Sequence, residues 1–213
     1  MPEAIRFEAA DGVSLEAERE PPTDGSLPRA GMVLCHPHPQ YGGTMRSIVI
    51  SALFEALPER GIGCLRFNFR GVEGSEGSYA EGRDEPLDVA AALDAATGAA
   101  VDGPLSLIGW SFGADIALGI DDPRVAGWVG IAPPLRFRPE RAYDAVAHDP
   151  RPKLLVLAAN DEFRAPPEIS AATDAWASTR IETVAGASHF FVGRTERVVT
   201  LVGDFVVGLT APS

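Results

Sequence analysis

Cysteine is nearly absent from this sequence. Cys35 and Cys64 are the only two in 213 residues, and both lie in apolar runs. Two such residues make no disulfide framework, so buried thiols are expected. Positive charge is also short. Eighteen Lys and Arg stand against 30 Asp and Glu, a net charge of −12, and the arginines are scattered. A nucleic-acid groove needs clustered basic residues to release counterions, so nucleic acid is excluded as a partner, and an anionic membrane surface with it. The charge serves solubility, and it disfavours polyanionic substrates at low salt. Long apolar runs are missing as well. No stretch reaches the roughly 18 residues of a membrane span. The opening residues, Met1 to Arg6, lack the basic-then-apolar order of a secretory leader. A soluble, cytoplasmic protein is the expectation, with monomer and homodimer equally compatible.

What is present is the composition of a folded domain. An apolar fraction of 46% beside 23% charged residues argues against disorder. A chain of this length buries roughly 70% of its surface, enough for one core, and a single domain over residues 1–213 is expected. Ile5 to Glu8 and Val13 to Glu18 flank the turn pair Asp11-Gly12 and predict an entry hairpin. Beyond the Pro- and Gly-rich loop Pro21 to Arg29 the texture changes. A short continuous apolar run predicts a strand buried on both faces at Gly31–Cys35, and further strands are expected at Gly61–Phe69, Pro104–Gly109, Val125–Ile131, Lys153–Ala158 and Arg180–Val184. Helical spacing alternates with them at Met45–Leu57, Glu85–Ala99, Phe112–Gly119, Ile169–Ala177 and Thr195–Gly208. This alternation predicts an open α/β sheet, mostly parallel, with helices on both faces and an antiparallel hairpin at its start. Pro133 to Pro152 is the one stretch without clear pattern, and it is too poor in apolar residues for a separate lid. Cys35, Phe67, Phe69 and Ile131 are core by pattern.

Gly109-Trp110-Ser111-Phe112-Gly113 joins an apolar strand to a helix. A G-x-S-x-G in that context makes a turn so tight that a Cβ at either glycine would meet backbone. It leaves the serine hydroxyl exposed at the carboxyl edge of the sheet. The Phe112 amide, at the helix start, then faces the same space and suits an oxyanion. A serine hydroxyl needs a base. Of the four histidines (His36, His38, His148 and His189), His189 stands in a loop after the last strand. Asp161 follows the strand ending at Ala158, and the chain order Ser111, Asp161, His189 suits a triad on such a sheet, with the adjacent Glu162 as the alternative acid.

These segments together resemble the α/β-hydrolase superfamily. They are most similar to its small, lid-poor bacterial predicted hydrolases, near the dienelactone-hydrolase-like branch. The residues that carry the likeness are His36 to Met45, Phe67 to Val72, Gly109 to Gly113, Asn160 to Phe163 and Gly186 to Phe191. The resemblance implies an α/β-hydrolase fold with minimal or no lid, Ser111 as nucleophile, His189 as base, Asp161 as its orienter, and no cofactor. It implies an oxyanion hole of the Phe112 amide and one amide from the loop His36–Gly43. By position after the family's His-Gly pair, here His36-Pro37, that donor is His38. Pro37 and Pro39 carry no N–H, and Tyr41 and Gly42 stay open as alternatives. Dienelactone hydrolases proper use a cysteine nucleophile, so their chemistry does not transfer to Ser111. Glu73 stands where the family commonly has glycine, with a modest effect expected on the loop.

His36 and His38 invite a metal test, but a site needs a third ligand, and recruiting Asp161 or His189 would dismantle the triad. No metal is expected, and His36 is assigned a structural role in tying its loop to neighbouring backbone. Arg70 either anchors a loop through a carboxylate or meets an acidic substrate. Tyr41, Trp110, Phe163 and Phe190 flank the site in sequence and suit an apolar substrate pocket. The expected function is hydrolysis of small esters through an acyl-enzyme, as in carboxylesterases. Thioesterase, amidase or peptidase and acyltransferase share the triad, and a non-catalytic binding protein is the alternative outside enzymes.

Overall fold

The computed structural model of the protein describes residues 2–97 and 103–210. The chain enters through the expected hairpin. Strands β1 (Glu3–Glu8) and β2 (Ser14–Glu20) pair antiparallel, with Phe7 opposite Leu15. Between them Gly12 takes a φ of 84°, its amide bonded to the Ala9 carbonyl at 2.8 Å. Six further strands follow: β3 (Ala30–Cys35), β4 (Ile62–Phe67), β5 (Leu105–Trp110), β6 (Val125–Ile131), β7 (Lys153–Ala158) and β8 (Thr179–Val184). They form one sheet in the order β1-β2-β4-β3-β5-β6-β7-β8. β2 meets β4 antiparallel, and every later pairing is parallel.

The helices are α1 (Ile48–Ala56), α2 (Glu85–Thr97), α3 (Phe112–Ala117), α4 (Asp144–His148), α5 (Pro166–Ala172) and α6 (Thr195–Gly208). Successive strand residues point to opposite faces, and the sequence fills both. Met32, Ile108, Val129 and Leu154 join the apolar cluster with α1 and α6. Val33, Leu107, Trp128 and Leu155 join the other cluster, with α2 and α3. β3, β5 and β7 are buried at every residue, which is why they read as largely apolar runs, interrupted only by Ser106 in β5 and Lys153 in β7. The edge strands β1 and β8 carry Glu3, Arg6, Glu8, Arg180 and Glu182 on partly exposed backbone, which discourages further pairing.

Cys35, Phe67, Phe69 and Ile131 are buried as expected. The two cysteines are free and lie in different core layers, and burial pushes both thiols above their ordinary pKa. Several boundaries differ from the periodicity. α1 begins at Ile48, because Thr44 to Ser47 close a turn of their own (Ser47 N to Thr44 O, 2.9 Å). β4 stops at Phe67, and the Phe69 amide goes instead to the His36 ring. α5 runs three residues earlier and ends five sooner than its apolar spacing suggested. Pro166 and Pro167 open it, with Glu168 Oε2 accepting the Ala165 amide at 3.0 Å. The predicted extension of α2 to Ala99 falls outside the described residues. Leu87 and Ile48, read as apolar helix positions, are 36% and 45% exposed. The unpatterned stretch 133–152 forms a 3-10 turn (Glu140–Ala142) and the five-residue α4, and no lid is inserted there.

The carboxyl ends of the parallel strands share one edge. Between β4 and β5 the order reverses about β3, which opens a crevice at that edge.

Candidate active site

Ser111 sits between β5 and α3 with φ 55° and ψ −119°. That is an uncommon conformation for a residue with a side chain, and the surroundings enforce it. A Cβ at Gly109 would overlap the Gly113 carbonyl, and one at Gly113 would overlap the carbonyls of Cys35 and His36. The Ser111 amide is bonded to the Ile131 carbonyl of β6 at 2.8 Å, which fixes the turn to the sheet.

His189 Nε2 lies 2.8 Å from Ser111 Oγ, and its Nδ1 lies 2.9 Å from Asp161 Oδ2. The Nδ1 proton is therefore donated to the carboxylate, leaving Nε2 to accept from the serine. Asp161 follows β7 and His189 follows β8. The two loops are joined by the Asn160 amide on the Ala187 carbonyl at 2.8 Å. Asp161 Oδ1 also accepts the amides of Phe163 (2.9 Å) and Arg164 (3.3 Å). Burial alone would raise the Asp161 pKa. The bond from His189 and these amides outweigh it and hold the carboxylate below its ordinary range.

Glu162, the alternative acid, faces elsewhere in the assembly. Its Oε2 accepts the backbone amide of His189 at 3.0 Å. Trp110 Nε1 donates to the His189 carbonyl at 3.1 Å. The histidine backbone is thus held from both sides while its ring bridges serine and aspartate. The Phe163 and Phe190 rings pack edge-on to the imidazole, at 4.5 and 5.6 Å.

The opposite wall is the loop from His36 to Gly43. His36 is buried, and its Nε2 accepts the Phe69 amide (3.1 Å), so Nδ1 carries the proton and donates to the Pro37 carbonyl (2.6 Å). Both ring nitrogens are engaged with backbone, as the tethering role required, and none is left to ligate a metal. Burial pushes the His36 pKa down to about 4. The Tyr41 and Gly43 amides donate to the His38 carbonyl (3.1 and 3.0 Å), and the Gly42 amide to the Pro39 carbonyl (3.3 Å). The Gln40 amide donates to His38 Nδ1 at 3.2 Å. With Pro37 and Pro39 lacking N–H, His38 keeps the one amide of residues 37–43 without an acceptor among the described residues. The Phe112 amide, first in α3, has none either. The His38 ring accepts at Nδ1, so Nε2 carries its proton and faces Tyr79 Oη at 3.0 Å.

These walls enclose a cleft of about 520 Å³ that contains Ser111 and His189 and is lined by all four anticipated aromatic residues, Tyr41, Trp110, Phe163 and Phe190. Trp110 is mostly buried, and the other three are exposed at the rim. The sequence did not mark Ile48, Pro134, Arg136 and Phe137, which also line it. Ile48 had a helical apolar spacing that pointed to the core. The other three come from the unpatterned stretch. Arg70 lies outside the cleft. It is buried and bonded to Asp88 (2.7 Å) and Asp11 (2.8 Å), the anchoring role rather than the substrate role. Glu73 adopts a φ of 45°, a conformation that suits glycine, and its Oε2 accepts from Asn68 Nδ2 at 2.8 Å. Among the described residues no helix is long and apolar enough to cross a membrane.

No protein-family model matches the chain. An uncharacterised protein of Rickettsia prowazekii is 29% identical over 216 residues, spanning 97% of this chain and 89% of that protein. The structure of an α/β serine hydrolase homologue from Coxiella burnetii shares 30% identity over 96% of this chain and 97% of the other, with a TM-score of 0.83. An α/β serine hydrolase without a lid from Xanthomonas campestris shares 25% identity over 100% of this chain and 96% of the other, with a TM-score of 0.86.

Proposed function

Because this chain belongs to the α/β serine hydrolases, we propose that it is a carboxylesterase-like enzyme acting on small esters, with Ser111 as nucleophile, His189 as base and Asp161 as the orienter of His189. The observation that carries the assignment is the unbroken chain of hydrogen bonds Ser111–His189–Asp161, set beside two backbone amides with no acceptor among the described residues. Ser111 Oγ attacks the ester carbonyl while His189 Nε2 takes its proton. The carbonyl oxygen becomes an oxyanion, and the amides of Phe112 and His38 receive it. When the tetrahedral species collapses, the bond to the alcohol breaks and His189 returns the proton to the leaving oxygen. Water then attacks the acyl-serine by the same route and frees the acid. These steps draw only on this chain and water.

Esters are favoured by the open cleft, which reaches solvent without a lid and has mostly apolar walls. The loop motifs His36–Met45 and Phe67–Val72 support placement near the dienelactone-hydrolase-like branch. Two buried free thiols accord with a reducing, cytoplasmic setting. The test is hydrolysis of 4-nitrophenyl esters from acetate to octanoate, wild type beside Ser111→Ala, together with labelling by a serine-directed phosphonate. Turnover and labelling that both vanish in Ser111→Ala are expected. A folded wild-type protein that neither labels nor turns over any ester refutes the proposal.

A further inference from the structure

The cleft is unusual in its charge. The chain has 30 Asp and Glu against 18 Lys and Arg. Yet among the described residues no carboxylate side chain lines the cleft, and one arginine, Arg136, does. The loop that carries it is clamped from beneath. Asp115, fully buried in α3, accepts the amides of Leu135 (2.8 Å), Arg136 (2.8 Å) and Phe137 (3.0 Å) on its two carboxylate oxygens. The Arg136 guanidinium lies over the ring of Phe137 at 5.1 Å and near that of Phe163 at 5.9 Å, two walls of the cleft. Neighbouring arginines are committed to structure. Arg138 and Arg164 donate to the carbonyls of Gly82 and Pro134. Among the described residues Arg136 enters no ion pair. His38, on the facing wall, accepts at Nδ1 and is neutral, so it offers no competing positive charge.

We propose that Arg136 is a specificity residue that selects esters carrying a carboxylate on the acyl or the alcohol side. The inference rests on the esterase assignment above and adds its substrate class. A guanidinium presents two parallel N–H donors that match a carboxylate, and the aromatic faces beside it leave its outer edge free to do so. Apolar walls strengthen an ion pair formed there relative to one in open water. The clamped backbone and the flanking rings restrict the side chain before substrate arrives, so less ordering is required on binding.

The experiment compares matched pairs of esters: 4-nitrophenyl hydrogen glutarate against 4-nitrophenyl valerate, and 3-acetoxybenzoate against phenyl acetate. For each pair the readout is the ratio of kcat/KM, charged over neutral, in wild type, Arg136→Gln and Arg136→Lys. A charge-assisted contact of this kind predicts a ratio that falls by about 10- to 100-fold in Arg136→Gln for at least one pair, mainly through KM. Arg136→Lys keeps part of it. Ratios that Arg136→Gln leaves unchanged in both pairs overturn the proposal, whatever their value in wild type. Phosphonate labelling of Ser111 and turnover of the neutral esters separate the two levels. If both persist while the ratios do not move, only the role of Arg136 falls. If both are absent, the esterase assignment fails and takes this one with it.

Discussion

His36 links an acid-sensitive stability to the wall of the cleft, and replacing it by Gln exposes that link. In the folded chain its ring is buried, bonded at both nitrogens, and neutral, with a pKa of about 4 against an ordinary 6.5. Burial is the main cause. The unfolded chain binds a proton on this ring below pH 6.5, and the folded chain refuses it until about pH 4. Stability from this group is therefore whole above pH 6.5, falls as the pH drops, and falls no further below about 4. Each pH unit in that window is worth about 1.4 kcal/mol, so about 3 kcal/mol is lost across it. His36→Gln removes the titration. At pH 7 the variant loses ring packing against Phe69 and well-placed bonds to Phe69 and Pro37, a deficit of about 2–4 kcal/mol. At pH 4 wild type has given up about 3 kcal/mol that the variant never had. Urea unfolding at both pH values should thus show the gap between the proteins shrinking by about that amount. Turnover at pH 7 should also fall, since the ring holds the loop that presents His38. A gap equal at the two pH values refutes the buried neutral ring. A variant that turns over like wild type refutes the tether.

Four further outcomes are expected. Asp161→Asn should lower kcat by about 10⁴ with folding retained. Glu162→Gln, whose amide oxygen still accepts from His189, should lower it by about tenfold or less, and steady-state kinetics on one neutral ester compares the two. Gly113→Ala places a Cβ onto the Cys35 and His36 carbonyls and should remove at least about 3 kcal/mol of stability, read by thermal unfolding or lost soluble yield. Asp115 carries the opposite sign from His36. Its burial raises the carboxyl to about 6 from 3.8 despite three amide bonds, so its contribution is whole below pH 3.8 and is lost as pH rises through 6. Asp115→Asn removes that decline, and its unfolding free energy should rise more steeply with pH than that of wild type.

The parts of the fold legible in the sequence were those with a physical reason to be simple. β3, β5 and β7 are covered on both sides, so apolar residues dominate there, with Ser106 and Lys153 the buried polar exceptions. α6 keeps its predicted bounds because one long face packs and the other is wet. The turn at Ser111 was legible because nothing larger than hydrogen fits at Gly109 or Gly113. Asp161 and His189 followed from chain order and strand ends. Less could be read where long-range contacts decide. α4 is five residues and shows no period. α5 is placed by a proline pair and a glutamate rather than by apolar spacing. Arg136 and Phe137 are held at the cleft by a carboxylate 21 and 22 residues earlier that gathers their amides, which no local pattern announces. Glu162 and Asp161 are neighbours of equal chemistry, and only the bond to a backbone amide on one and to a ring on the other tells them apart.

The order of the strands also bears on how the enzyme comes to life. Ser111 and His189 are 78 residues apart in the chain, and Asp161 is 28 before its partner. All three stand at the ends of parallel strands, which no tight hairpin can join. On the ribosome the nucleophile emerges long before its base, and it stays inert until β7 and β8 have paired. Long-range parallel pairing of this kind is slow to form. In a refolding experiment, hydrolysis should therefore be among the last signals to return, after helical structure. A partly folded chain exposes a serine that does nothing.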